Sequence, residues 1–235
     1  MDPLRQVSIV VLSWCAAWPA CAGPAPHTVP DTIAQRVLAC TACHGKEGVA
    51  TNQGYFPRIA GKPAGYLYNQ LVNFRDGRRN NGVMNRFVEN LSEPYLMEIA
   101  THFATLDLPY PRPPAIPAPA DLMARGEVLV HRGDDAAKLP ACVRCHGAAM
   151  TGVAPAIPGL LGLPKDYLQS QLGRWRTGQR HAAAPDCMAE IGRRLSAHDL
   201  NAVATYLALQ PVPADSKPAG SVAMPLPIAC GGVPG

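Results

Sequence analysis

No stretch of about 20 apolar residues, the length a helix needs to cross ~30 Å of hydrocarbon, occurs in this sequence; the longest run, residues 7–20, falls short of it. Charge is equally sparse. Only 16% of the 235 residues are charged, the net charge is +4, and the 21 Lys and Arg are scattered, most densely at Arg75, Arg78 and Arg79. Nucleic-acid binders gather their cations on one face or in a run, so that class is set aside. Long coiled coils concentrate Ala, Glu, Lys and Leu, and disordered chains lack apolar residues, whereas 48% of this chain is apolar. Apolar–polar alternation of the strand type is also missing, which argues against an all-β fold.

Proline, glycine and cysteine are plentiful instead, at 25, 21 and 8 residues. The amino end carries Arg5, the apolar run 7–20, and Ala20-Cys21-Ala22, a small-x-small cleavage site. Residues 1–22 therefore read as a secretory signal peptide, with the mature chain exported to an oxidising compartment. The alternatives are a retained anchor, suggested by Trp14 and Trp18, and lipid attachment at Cys21, for which Trp18 is a poor neighbour.

The chain repeats itself at an offset of about 100 residues. Cys40-Thr41-Ala42-Cys43-His44-Gly45 answers Cys142-Val143-Arg144-Cys145-His146-Gly147, and Pro57-Arg58-Ile59-Ala60-Gly61 answers Pro158-Gly159-Leu160-Leu161-Gly162. Further on, Tyr66, Gln70, Phe74, Arg79, Met84 and Leu91-Ser92 answer Tyr167, Gln171, Trp175, Arg180, Met188 and Leu195-Ser196. Two copies of one domain are expected, at 23–106 and 121–210. Between them lies a linker, 107–120, in which six of 14 residues are proline, a composition that favours a semi-rigid extended strap. A Pro-rich tail, 211–235, follows, expected to be irregular or disordered. Local signals are helical: Asp31 and Asp121 as caps, Pro63 and Pro164 in first turns, Gly77 and Gly178 as terminators, and Ser92 and Ser196 as caps of the last helices. The expected fold is all-α, with three or four helices per copy, and so small a domain normally needs a staple or a cofactor.

C-x-x-C-H occurs at Cys40, Cys43 and His44 and again at Cys142, Cys145 and His146. In an exported chain this spacing reads as covalent attachment of haem c: two thiols add to the porphyrin vinyls and the histidine becomes an axial iron ligand. Zinc pairs usually recur within about 20 residues, whereas these motifs lie far apart and each closes within its own copy. Met84 and Met188 each precede the Leu-Ser step by seven residues, a matched register that makes them the second axial ligands. Met97, Met123, Met150 and Met224 read as core filler, and His181 is the rival for the second iron. Arg75, Arg79, Arg86, Arg176 and Arg180 read as a solvated face from which one or two could neutralise haem carboxylates. Cys187 and Cys230 have no haem role, so a disulfide pinning the tail is one reading and thiolate ligation by Cys187 a remote one.

On these motifs the sequence resembles the di-haem cytochrome c4 family of class I c-type cytochromes. The resemblance implies two tandem cytochrome c-like domains about a pseudo-two-fold axis, with haem carboxylate edges facing one another. It implies a non-catalytic electron-transfer protein that receives electrons from a dehydrogenase or a quinol-oxidising complex and passes them to a terminal oxidase, with peripheral association with membrane complexes possible. It also implies that the carbonyls of Pro57 and Pro158 accept hydrogen bonds from His44 and His146, with Pro155 competing for the latter. Cys187 and the tail with Cys230 depart from the family pattern, leaving open a free shuttle or a subunit docked on a dehydrogenase. A haem peroxidase or reductase with one open iron is the enzymatic alternative.

Overall fold

The computed structural model describes residues 29–50, 56–221 and 225–233. The expected signal peptide, His27 and Met224 lie outside them. Of the chain's two compact units, Met1–Pro30 is almost wholly outside the described residues, and Asp31–Gly235 holds both repeats. Among the described residues no helix is long and apolar enough to cross a membrane.

The first repeat contains α1 (Ile33–Arg36), α2 (Leu38–His44), a 3-10 turn (Lys46–Gly48), α3 (Ala64–Arg75), α4 (Gly82–Val88) and α5 (Glu93–Ala104). The second contains α6 (Ala120–His131), α7 (Val143–His146), α8 (Lys165–Arg176), α9 (Cys187–Arg194) and α10 (Ala197–Leu209). It adds one short antiparallel pair, β1 (Gly152–Val153) with β2 (Ile157–Pro158), too brief to show as alternation in sequence. Residues 107–119 carry no helix or strand.

Several local expectations need correction. Thr32, not Asp31, caps α1, because Asp31 spends its carboxylate on Arg36. Pro119 precedes α6, which leaves Asp121 inside the first turn. Pro63 and Pro164 are cap residues with extended ψ rather than members of the first turn. Ser92 sits at its cap without a side-chain bond, whereas Ser196 accepts from the Asp199 amide. Gly77 and Gly178 do follow α3 and α8 with φ of 75° and 73°, the left-handed turn that stops a helix.

The second half has one continuous core around Leu129, Val130, Leu168, Leu195, Val203 and Leu207. In the first half the core is split between a cluster of Val37, Leu67, Ile99 and Phe103 and another of Phe74, Val88 and Leu96. The α6–α10 crossing depends on Gly126, where a Cβ would strike the Ala202 carbonyl. The two halves pack directly. Arg79 and Arg180 form an antiparallel backbone bridge, the His181 amide donates to the Arg78 carbonyl at 2.7 Å, and Arg174 donates to the Asn80 carbonyl at 2.6 Å.

The tail is an ordered irregular segment. A disulfide joins Cys187 to Cys230, which removes Cys187 as a thiolate ligand. Ala219 pairs with β1, and Asn69 on α3 donates to the Gly232 carbonyl at 2.7 Å, so the tail reaches back to the first half.

Candidate functional site

Helix α2 carries Cys40, Cys43 and His44. In the second half Cys142 caps α7, which carries Cys145 and His146. Each histidine is followed by a glycine at positive φ, Gly45 at 79° and Gly147 at 83°. A side chain at Gly45 would strike the Ala50 carbonyl, so the chain can leave the helix there only through glycine. This turn lets the next loop fold back under the imidazole. His44 Nδ1 then donates to the Pro57 carbonyl and His146 Nδ1 to the Pro158 carbonyl, both at 2.8 Å, and Pro158 rather than Pro155 takes the second bond. Both rings are 8% exposed. With Nδ1 engaged, Nε2 is the nitrogen left to ligate, and the carbonyl fixes ring orientation and raises ligand basicity.

Burial pushes both imidazolium groups down. The proline carbonyls act the other way, while nearby cations, Arg79 for His44 and Lys62 for His146, add to the lowering. Burial also raises the thiols of Cys40 and Cys145 and pushes Cys142 up to about 12.

All eight residues singled out from the sequence line one cavity of about 900 Å³ that runs through both halves. Met84 is near the start of α4, where Asn81 accepts from its amide at 3.1 Å. Met188 is in the first turn of α9, where Asp186 accepts from the Ala189 amide at 3.0 Å. Both methionines are half-buried. His181 is exposed and does not line the cavity, and His102 packs edge-on against Phe103. Of the other methionines, Met150 is core, whereas Met97 is 41% exposed and corrects its reading as filler.

The arginines divide in a way composition did not reveal. Arg86 and Arg176 are exposed, and Arg75 pairs with Asp76 and Glu93. Arg79 and Arg180 are 9% and 3% exposed, which corrects the solvated-face reading for this pair. They share partners between the two halves: Arg79 donates to Gln70, Gln171 and Tyr167, and Arg180 to Gln171 and Gln70, at 2.7–3.1 Å. Each stacks on the aromatic ring of its own half, Phe74 at 4.5 Å and Trp175 at 3.7 Å. Among the described residues neither forms an ion pair, and burial together with Arg79 pulls Arg180 down to about 10. The indole N–H of Trp175, beside them, is buried without a partner. Two uncompensated guanidinium groups and an orphan donor lining one apolar cavity suit an apolar group that bears carboxylates. Two thiols, an imidazole anchored at one nitrogen and a thioether in each half complete a donor set that fits haem c.

Residues 130–207 match the family model described as cytochrome c oxidase, cbb3-type, subunit III. The chain is 36% identical over 210 residues to a thiosulfate dehydrogenase electron acceptor of Thiomonas intermedia, covering 89% of this chain and 93% of that protein. It is 33% identical to cytochrome c4 of Pseudomonas aeruginosa, covering 77% of this chain and 89% of that one. Among solved structures, reduced cytochrome c4 from Pseudomonas stutzeri matches with a TM-score of 0.65 at 27% identity, over 75% of this chain and 95% of that one. Thiosulfate dehydrogenase from Marichromatium purpuratum matches at 0.64 and 34% identity over 74% of this chain, which spans 36% of that longer one. The fold of two tandem cytochrome c-like domains, the c-type haem cofactor and the electron-transfer role follow, and with them the conclusion that the chain belongs to the di-haem cytochrome c4 family.

Proposed function

We propose that this cytochrome is a periplasmic two-centre electron carrier, without catalytic chemistry of its own, that accepts electrons from an exported dehydrogenase. In this reading Cys40 and Cys43 hold the first haem through thioethers and His44 and Met84 ligate its iron. Cys142, Cys145, His146 and Met188 do the same for the second. When bound, haem c supplies a one-electron ferric–ferrous couple. The polypeptide's part is to fix each imidazole through a proline carbonyl, exclude water from the cavity and neutralise buried carboxylates with Arg79 and Arg180. With the Met84 and Met188 thioethers and the His44 and His146 imidazoles as ligands, the bound group would have a raised reduction potential and no free position, which favours outer-sphere transfer over peroxide chemistry.

The observation that carries the reading is the pairing, in each half, of a buried Nδ1-anchored histidine with a methionine lining the same cavity. The disulfide at Cys187–Cys230 supports export to an oxidising compartment. Similarity to the electron acceptor of Thiomonas intermedia favours a thiosulfate-oxidising dehydrogenase as donor; a quinol-oxidising complex is the second candidate, and a terminal oxidase the acceptor. A pyridine haemochrome assay should count two covalent haems, and catalytic amounts of a thiosulfate dehydrogenase with thiosulfate should reduce both. One haem, or a high-spin ferric spectrum that binds peroxide rapidly, would refute the carrier reading.

A further inference from the structure

The repeats differ where the loop passes beneath the imidazole. The first reads Pro57-Arg58-Ile59-Ala60-Gly61-Lys62-Pro63, the second Pro158-Gly159-Leu160-Leu161-Gly162-Leu163-Pro164. Two cations in the first copy thus stand where the second has glycine and leucine. Arg58 keeps its charge within the first half, donating to the carbonyls of Ala60, Leu108 and Pro109 and stacking on Tyr110 at 3.9 Å. Lys62 is 5% exposed and has no carboxylate partner among the described residues. Its ammonium group crosses to the other half, where Nζ donates to the Gly159 carbonyl at 3.2 Å. Gly159 directly follows Pro158, whose carbonyl holds His146. Burial and the Arg58 cation pull the Lys62 ammonium down to about 8, so at neutral pH a lysine of the first repeat brings a buried positive charge beside the loop that holds His146. The return contact is missing, because Leu163 is buried in the apolar core of its own half.

We propose that Lys62, a residue of the first repeat, raises the reduction potential of the second centre. The proposal rests on the two-haem reading above. Oxidation adds one positive charge to a centre, and a fixed cation nearby in a medium of low dielectric opposes that change. Arg79 also acts on His44, but Arg180 occupies the matching place in the second repeat, so that pair is shared between the copies whereas Lys62 is not. The consequence is a link between the halves: a charge carried by the first repeat favours the electron on the second haem.

The experiment is a spectropotentiometric titration of the full holoprotein, with the second centre identified as the step that moves in a Met188→His variant. Lys62→Gln keeps a donor for Gly159 and removes the charge. It should lower the second step so that the partition of an electron between the centres shifts roughly tenfold, about 59 mV for a one-electron couple, while the first step stays in place. Lys62→Arg should retain the wild-type separation. Lys62→Met replaces the unpaired cation by an apolar side chain of similar length and gives the same readout if the amide variant does not accumulate. An unmoved second step in the neutral variants, an equal fall of both steps, or a fall in Lys62→Arg as large as in Lys62→Gln overturns the proposal. A protein lacking one covalent haem overturns the two-haem reading instead, so the two failures are distinguishable.

Discussion

Cutting the tail loose should cost the second half both stability and closure. The Cys187–Cys230 bond closes a loop of 43 residues, and the loss of loop-closure entropy in the unfolded chain is worth about 4 kcal/mol for a loop of that length. That figure is an upper bound, because residual structure in the unfolded chain already restricts part of the loop. Cys187→Ser, Cys230→Ser and the double variant should lose the same amount, since each opens the same loop. Guanidinium denaturation of the holoprotein, followed by far-UV circular dichroism, measures it. The second consequence is local. Leu226, Ile228 and Val233 line the cavity, and Cys187 adjoins Met188, so a freed tail should let cyanide displace the sixth ligand faster at the second centre and leave the first unchanged. If the double serine variant unfolds at the wild-type denaturant concentration and binds cyanide no faster, the tail is neither tie nor cover.

Met84→Leu and Met188→Leu should each lower one potential and remove half of the methionine-to-iron absorption at the red end of the ferric spectrum; a spectrum unchanged in both would refute the axial assignment. Asp199 is held below the usual carboxylate range by Arg125, at 2.6 Å, and by Ser196, so its stabilisation is present above the unfolded pKa of about 3.9 and is lost as pH falls through the lower folded value. Asp199→Asn should cost roughly 2 kcal/mol at pH 7, less than a fully buried pair because Arg125 is partly exposed, and the difference from wild type should shrink in denaturation curves below pH 4. Gly126→Val should cost about 1–3 kcal/mol by overpacking the α6–α10 crossing, read as a lower thermal midpoint with unchanged haem spectra.

What could be read from sequence was chemistry tied to spacing. The C-x-x-C-H pentapeptides and the late methionines occur twice in matched order, and the fold brings all eight of those residues to one cavity. Burial of charge was hidden. Arg79 and Arg180 sit in polar surroundings on the chain, and only tertiary packing between the two halves takes them out of water; their shared register with Gln70 and Gln171 was the available signal. Lys62, a lysine ahead of a proline, looks like an exposed helix start, and only comparison with Leu163 marks it as unusual. Capping was misassigned at Asp31 because a side chain of that type can satisfy a helix end or an arginine five residues on, and here the charged partner won.

Duplication and divergence divide the work between layers of the structure. The groups proposed for each centre recur in both copies: the thiols, the imidazole with its proline carbonyl, the glycine that turns the chain, the methionine, and the arginine stacked on an aromatic ring. Two centres built only from such groups would have equal potentials, and an electron would divide evenly between them. The differences lie one layer further out, in Lys62 against Leu163, in the free indole donor of Trp175 against Phe74, and in a tail fastened beside Met188 with no counterpart beside Met84. All three lie on the side of the second centre. A gene duplication supplies two like sites, and changes confined to their surroundings can then give transfer a direction without disturbing the ligands that keep each site functional.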